Sequence, residues 1–224
     1  MPSSPPSPSP DSFQRARRPE HKERRRHDIL EAAATLALRD GVRSVTLTGI
    51  AARAGVHKSA VLRYFASREA VFLLLTAEGW GEWAAAVGDA LAEPMAPGEV
   101  AGVLAGTLGE RALFCDLLAH AQLTLERGVT LRQVREFKIA TLDAVAGIAQ
   151  ALTTALPALP RERAIDVIAG TTAMAAAQWQ TSNPPDTLAL LYAQDPVFAH
   201  VATDFAPRLT RLVTLLLTGA AGQE

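Results

Sequence analysis

Between Thr46 and Arg68 the chain places side chains suited to the surface of a nucleic acid. Six of them stand outward on one short helical segment: His57, Lys58, Ser59, Ala60, Leu62 and Arg63. Contacts to phosphate position a protein on a duplex, whereas contacts to base edges specify sequence. Lys58, Ser59 and Ala60 are the candidates for base edges, and the Ala60 methyl suits a thymine methyl. Arg63 can read a guanine or grip a phosphate, and its position leaves both open. Tyr64 can bury its ring and still bring its hydroxyl to a phosphate. His57 can cap the segment weakly and, when protonated, face a phosphate.

These residues need a scaffold, and the spacing of the apolar positions supplies one. From Leu47 to Phe65 two short helices are joined at Gly55, where a residue without Cβ takes positive φ at no steric cost. Ile50, Ala54, Val56, Val61, Tyr64 and Phe65 face inward, and Ala51 is the small residue where the helices cross. That is a helix-turn-helix, whose second helix enters the major groove. Thr46 is its N-cap. Before it, Ile29, Leu30, Ala33, Leu36 and Ala37 define an amphipathic first helix from about Glu23 to Arg39, ended by Asp40-Gly41. After it, Ser67 caps a fourth helix running to about Leu91.

The formal net charge of −1 over 224 residues conceals a division. From Arg15 to Glu69 there are 13 Lys and Arg against 6 Asp and Glu, and from Ala70 onward 9 against 16. A basic end on an acidic body is the footprint of nucleic-acid binding. Residues 1–22 form a Pro/Ser-rich tail with a basic end, expected to be disordered. It is either an arm for an adjacent minor groove or a solvated charged tail.

The remainder is expected to be helical and soluble. Hydrophobic residues make up 49% of the chain and charged residues 20%, an ordinary globular balance. There is no apolar run long enough for a membrane span and no signal-peptide pattern, so the expected compartment is the cytoplasm. Arg outnumbers Lys 19 to 3, which fits a GC-rich bacterial genome. The spacing predicts helices over about 99–109, 111–126, 130–156, 161–181 and 186–193. Thr130 with Gln133 forms a capping box at the third of these. Asp195-Pro196 is expected to open a final helix to about Thr218, kinked at Pro207. The fold class is therefore all-α.

Catalytic signatures are missing. The sequence has no H-E-x-x-H, P-loop, G-x-S-x-G or metal-spaced Cys/His set. Five scattered histidines and the single Cys115 suggest no catalytic residues, no metal and no cofactor. Cys115 is read as a small buried hydrophobe.

The ordered set Ile29-Leu30-x-Ala32-Ala33, Gly41, Thr46, Ile50-Ala51, Ala54-Gly55-Val56, Tyr64-Phe65 and Ser67-Arg68-Glu69 resembles the TetR family of bacterial repressors. The resemblance implies a DNA-binding domain over 23–70 and a helical effector-binding and dimerisation body over 71–220. It also implies that Thr46 supplies a phosphate-binding hydroxyl and that Arg68 stands where the family carries a phosphate-binding Lys. The chain departs from the family pattern at His57, where Ser or Thr is usual, and at Leu62, where Tyr is frequent.

One recognition helix reads only a few base pairs, so a two-fold homodimer on a palindromic double-stranded operator is expected. The expected interface comprises Ile165, Ile168, Thr172 and Trp179 on one helix and Val201, Phe205, Leu209, Leu212 and Leu216 on the last, forming a four-helix bundle between subunits. Those stripes can also be core of one chain. By the resemblance, the central helices enclose a small-molecule pocket. Trp83, Phe114, His120, Phe137, Met174 and Gln178 are candidates to line it, and their character favours a small apolar effector. Each can also be ordinary core. A body serving only as a protein-interaction module is the alternative.

Overall fold

The computed structural model describes residues 10–198 and 204–221, and its regular structure there is helical, with no strand among the described residues. The first helix, α1, spans Pro10–Asp40, so the helix begins well before the expected boundary near Glu23. A run of Arg, Lys, Glu and Gln is composed of good helix formers, and Pro10 sits at the first helical position, where its missing N–H is no loss. Low hydrophobicity removes a reason to pack but not a reason to coil. Residues 1–9 lie outside the described part.

α1 is followed by a single 3₁₀ turn at Val42–Ser44, α2 (Leu47–Arg53) and α3 (Lys58–Val61). Ile29, Ala33, Ile50, Val61 and Phe65 are buried together with Val71 and Phe72 from α4 (Arg68–Ala90). Thr46 caps α2 through Oγ1, which accepts from the Gly49 N–H at 3.1 Å, and Ser67 caps α4 through the Ala70 N–H at 3.1 Å. Each cap satisfies a first-turn amide that has no partner inside its helix.

α4 continues into the body, which adds α5 (Pro97–Gly109), α6 (Ala112–His120), α7 (Leu131–Ala155), α8 (Arg161–Ser182), α9 (Asp186–Gln194) and α10 (Phe205–Ala221). α4 lies against α7, and α10 lies against α5 and α8. Gly79 permits a close crossing of α4 and α6, because a Cβ there would fall 2.5 Å from the Phe114 ring. The capping box at Thr130 forms as expected: the Gln133 amide N–H reaches Thr130 Oγ1, and the Thr130 N–H reaches Gln133 Oε1 at 2.9 Å. α6 ends at His120, and one π-helical turn, Ala121–Leu125, replaces the expected continuation.

The last helix also differs. Asp195 caps only a 3₁₀ turn, Pro196–Phe198, accepting from the Val197 N–H at 2.9 Å. α10 starts at Phe205. Pro207 then falls in the first turn, where no intrahelical N–H bond is required, so the expected kink has no cause. Val201 and His200 lie outside the described residues.

The two apolar stripes are largely core of one chain. Ile168, Thr172 and Leu209 are buried within the protomer. Trp179 meets Phe205 edge to face at 5.4 Å, and Leu216 approaches Gly170, where a Cβ would fall 2.8 Å from its methyl. Periodicity shows that a face is buried but not what buries it. Left outside are Ile165, 40% exposed, with Ala169, Ala173 and Ala177 on α8, and Leu215, 71% exposed, beside half-buried Leu212 on α10. No helix among the described residues is long and apolar enough to cross a membrane.

Candidate nucleic-acid interface

The turn between α2 and α3 is built by backbone chemistry. Gly55 adopts φ +66°. Its N–H bonds to the Ala52 carbonyl at 3.2 Å, and the Val56 N–H bonds to the Ala51 carbonyl at 2.9 Å. These are the two bonds of a Schellman motif, and the left-handed residue it needs is the glycine. No atom lies within 4 Å of a Cβ placed at Gly55, so backbone conformation alone selects the residue.

His57 caps α3. Its Nδ1 accepts from the Ser59 N–H at 3.4 Å and lies 3.0 Å from Ser59 Oγ. An accepting Nδ1 requires that the neutral ring carry its proton on Nε2, which leaves a donor facing outward. α3 closes at Val61, and the chain tightens: the Arg63 N–H reaches Ala60 O at 3.3 Å and the Tyr64 N–H reaches Val61 O at 2.9 Å. Buried Val61 and Phe65 anchor this segment, while His57, Lys58, Ser59, Leu62 and Arg63 stand exposed. Ala60 and Tyr64 are half-buried. Exposed Thr46 uses an oxygen lone pair for its cap, so its O–H remains a donor at the same end of the domain.

Arg68 is turned inward. Its Nε donates to Val45 O at 2.5 Å, its Nη2 donates to Val42 O, and its Nη1 pairs with Glu69 at 3.3 Å. The guanidinium also lies 4.9 Å over the Phe72 ring. Every nitrogen is occupied within the protein, so the position matched to a phosphate contact by resemblance instead ties α4 to the segment entering α2. The carbonyls it satisfies come from a 3₁₀ turn far back in the chain, and no local spacing announces them.

A second tie joins the domain to the body. Asp116 on α6 accepts from the Val42 N–H at 2.7 Å and from Gln180 Nε2 of α8 at 2.9 Å, with His120 Nε2 at 3.5 Å. Burial alone would push this carboxyl up, but the hydrogen bonds from His120, Val42 and Gln180 outweigh it and hold the carboxyl below its ordinary value. The four-residue spacing of Asp116 and His120 is visible in the sequence; the partner at Val42 is not.

The comparisons with known proteins agree with this geometry. Residues 29–75 match the bacterial regulatory proteins of the tetR family, and residues 77–224 match the tetracyclin repressor-like C-terminal domain. The chain belongs to the TetR family. It is a TetR-family DNA-binding regulator of all-helical fold. Comparison with curated proteins yields no match.

Solved structures share the fold of this TetR-family chain. FadR from Thermus thermophilus, a TetR-family transcriptional repressor in complex with lauroyl-CoA, aligns at TM-score 0.56 and 23% identity, covering 89% of this chain and 96% of that one. FadR from Bacillus halodurans, a fatty acid degradation regulator, aligns at 0.54 and 16%, covering 88% and 99%. FadR from Bacillus subtilis, in complex with stearoyl-CoA, aligns at 0.52 and 19%, also covering 88% and 99%.

The six candidate effector residues lie in different surroundings. Trp83 and Phe114 are buried in an aromatic cluster with Trp80, ring centroids 5.5–6.2 Å apart, and Trp83 Nε1 donates to Thr107 Oγ1 at 3.0 Å. His120 is held by Asp116. Gln178 is buried and Met174 half-buried on α8. Phe137 alone of the six lines an open groove of about 460 Å³, set between α1, α4, α7 and the end of the recognition segment. Cys115 is buried, and burial pushes its thiol up to about 12, so it is an inert core residue as the sequence suggests.

Proposed function

We propose that the protein is a homodimeric, sequence-specific transcriptional repressor of the bacterial cytoplasm that leaves a palindromic operator when a small apolar effector binds. The observation that carries this reading is the exposed row His57, Lys58, Ser59 and Arg63, mounted on a buried core of Ile50, Val61 and Phe65. Lys58 and Arg63 carry no ion pair among the described residues, so their charge is available to phosphate. Thr46 and the outward nitrogen of His57 add neutral donors. Ser59, and more weakly half-buried Ala60, are left to read base edges.

The dimer follows from the need to read two half-sites. The surface that supports it is Ile165, Ala169, Ala173 and Ala177 on α8 with Leu212 and Leu215 on α10, small and apolar where helices must approach closely. Two solved proteins of this fold hold an acyl-CoA, an anion with a long apolar chain, which supports an effector with an apolar part. One observation favours the alternative, a DNA-binding dimer whose body serves only protein interaction: the aromatic cluster of Trp80, Trp83 and Phe114 fills the space between α4 and α6.

Sedimentation of the full chain with and without duplex DNA tests the reading. The expected result is a dimer at micromolar concentration that binds one duplex. A monomer, or a dimer with no affinity for duplex at low salt, overturns it.

A further inference from the structure

The groove between the DNA-binding domain and the body has a chemistry of its own. Its floor is apolar: Phe65, Leu73, Leu74, Ala77, Phe137 and Ala140. Its rim carries four cations, Lys22, Arg26, Arg63 and Arg132, against two carboxylates, Glu23 and Glu136. Arg132 and Glu136 neutralise each other at 3.0 Å. Arg26 lies 5.8 Å over the Phe65 ring and in the field of Glu78. Lys22 and Arg63 have no partner among the described residues. The first turn of α7, through Arg132 and Gln133, adds its dipole to the same rim.

We propose that this groove is a binding site for a small amphipathic anion, an apolar chain or ring ending in one carboxylate. The volume of about 460 Å³ is that of a small-molecule site. An apolar floor with unpaired cations at its mouth discriminates by charge, since a carboxylate accepts several charge-assisted hydrogen bonds that a neutral alcohol cannot replace. A duplex backbone needs the cations but not the buried Phe65 and Phe137, so the floor distinguishes a small amphiphile from DNA. The site rests on the ligand-responsive reading proposed above and narrows its apolar effector to one that ends in a carboxylate. Arg63 is shared between the groove and the DNA-facing row. An anion in the groove draws that guanidinium toward the body, so effector and operator compete for one side chain.

The probes are decanoate and decan-1-ol, titrated calorimetrically into the full-length protein and, separately, into the protein on its duplex. Decanoate is expected to bind about tenfold or more tightly than the alcohol. Ala140→Trp, which fills the groove from a half-buried position on α7 that lines it, is expected to abolish that binding with thermal stability and duplex affinity unchanged. Lys22→Gln is expected to weaken decanoate binding several-fold while leaving the alcohol unaffected. Equal affinities for the two probes, or decanoate binding that survives in both variants, overturns the proposal. If Ala140→Trp instead weakens duplex binding, the groove is a backbone channel and the proposal fails. Should decanoate bind as stated and leave duplex affinity unchanged, the site stands, while the coupling through Arg63 and the ligand-responsive reading fail.

Discussion

The carboxylate of Asp116 accepts a hydrogen bond of 2.7 Å from the backbone N–H of Val42, joining α6 of the body to the turn that enters the helix-turn-helix. Seventy-four positions separate the two residues, so the bond is a tertiary clamp and not part of local folding. Gln180 braces the other carboxylate oxygen from α8. One side chain thus links α6 and α8 directly to the base of the DNA-binding domain.

Asp116→Ala leaves the Val42 N–H without its partner at a half-buried site. A destabilisation of about 1–3 kcal/mol is expected from the lost bonds. Weaker duplex binding is expected alongside, since the domain loses its tie to the body. Urea unfolding and fluorescence anisotropy on the same samples check both.

The same carboxyl sets an acid limb on stability. Its folded value lies below the ordinary 3.8. A depressed carboxyl contributes stability that is complete above the unfolded value and is lost as pH falls through the folded one. The urea midpoint of the native chain should therefore decline below about pH 4. Asp116→Asn should show a shallower decline over the same range, at a lower plateau.

Lys58 and Arg68 should behave oppositely, although the sequence assigns both to DNA, Lys58 by its outward position and Arg68 by the family resemblance. Lys58→Ala should weaken binding across sequences and reduce the slope of log affinity against log salt by about one. Arg68→Ala removes donors that hold the Val42 and Val45 carbonyls. It should lower thermal stability with little change in the salt slope. An Arg68→Ala slope reduced as much as that of Lys58→Ala would return this side chain to the phosphate surface.

Two glycines test the packing. Gly55→Ala forces a Cβ onto a left-handed residue and should cost about 1–2 kcal/mol. Gly79→Ala places a Cβ 2.5 Å from Phe114, and overpacking of this kind should cost about 1–3 kcal/mol. The cost at Gly79 should be relieved by Phe114→Leu, while the cost at Gly55 should not.

What was legible in the sequence was local. Thr46, Ser67 and the Thr130–Gln133 box act over three residues, and Gly55 acts through its own φ, so each could be read directly. The direction of Arg68 was not legible, because the carbonyls it meets are brought to it by tertiary structure. Nor was the partner of a buried stripe: Ile168, Thr172 and Leu209 have the periodicity of an interface and are covered by their own chain. Trp83 and Phe114 show the same limit, since an aromatic at helical spacing looks alike whether it walls a cavity or fills one. The groove at Phe137 joins residues from α1, α4 and α7 that no single segment displays.

The central claim is that two copies of the Lys58–Arg63 segment read DNA as a pair. Selection of bound duplexes from a random pool by the full-length protein tests it most directly. The account predicts an enriched palindrome whose half-sites are about one helical turn apart. Recovery of a single asymmetric site, or no enrichment over the starting pool, would contradict it.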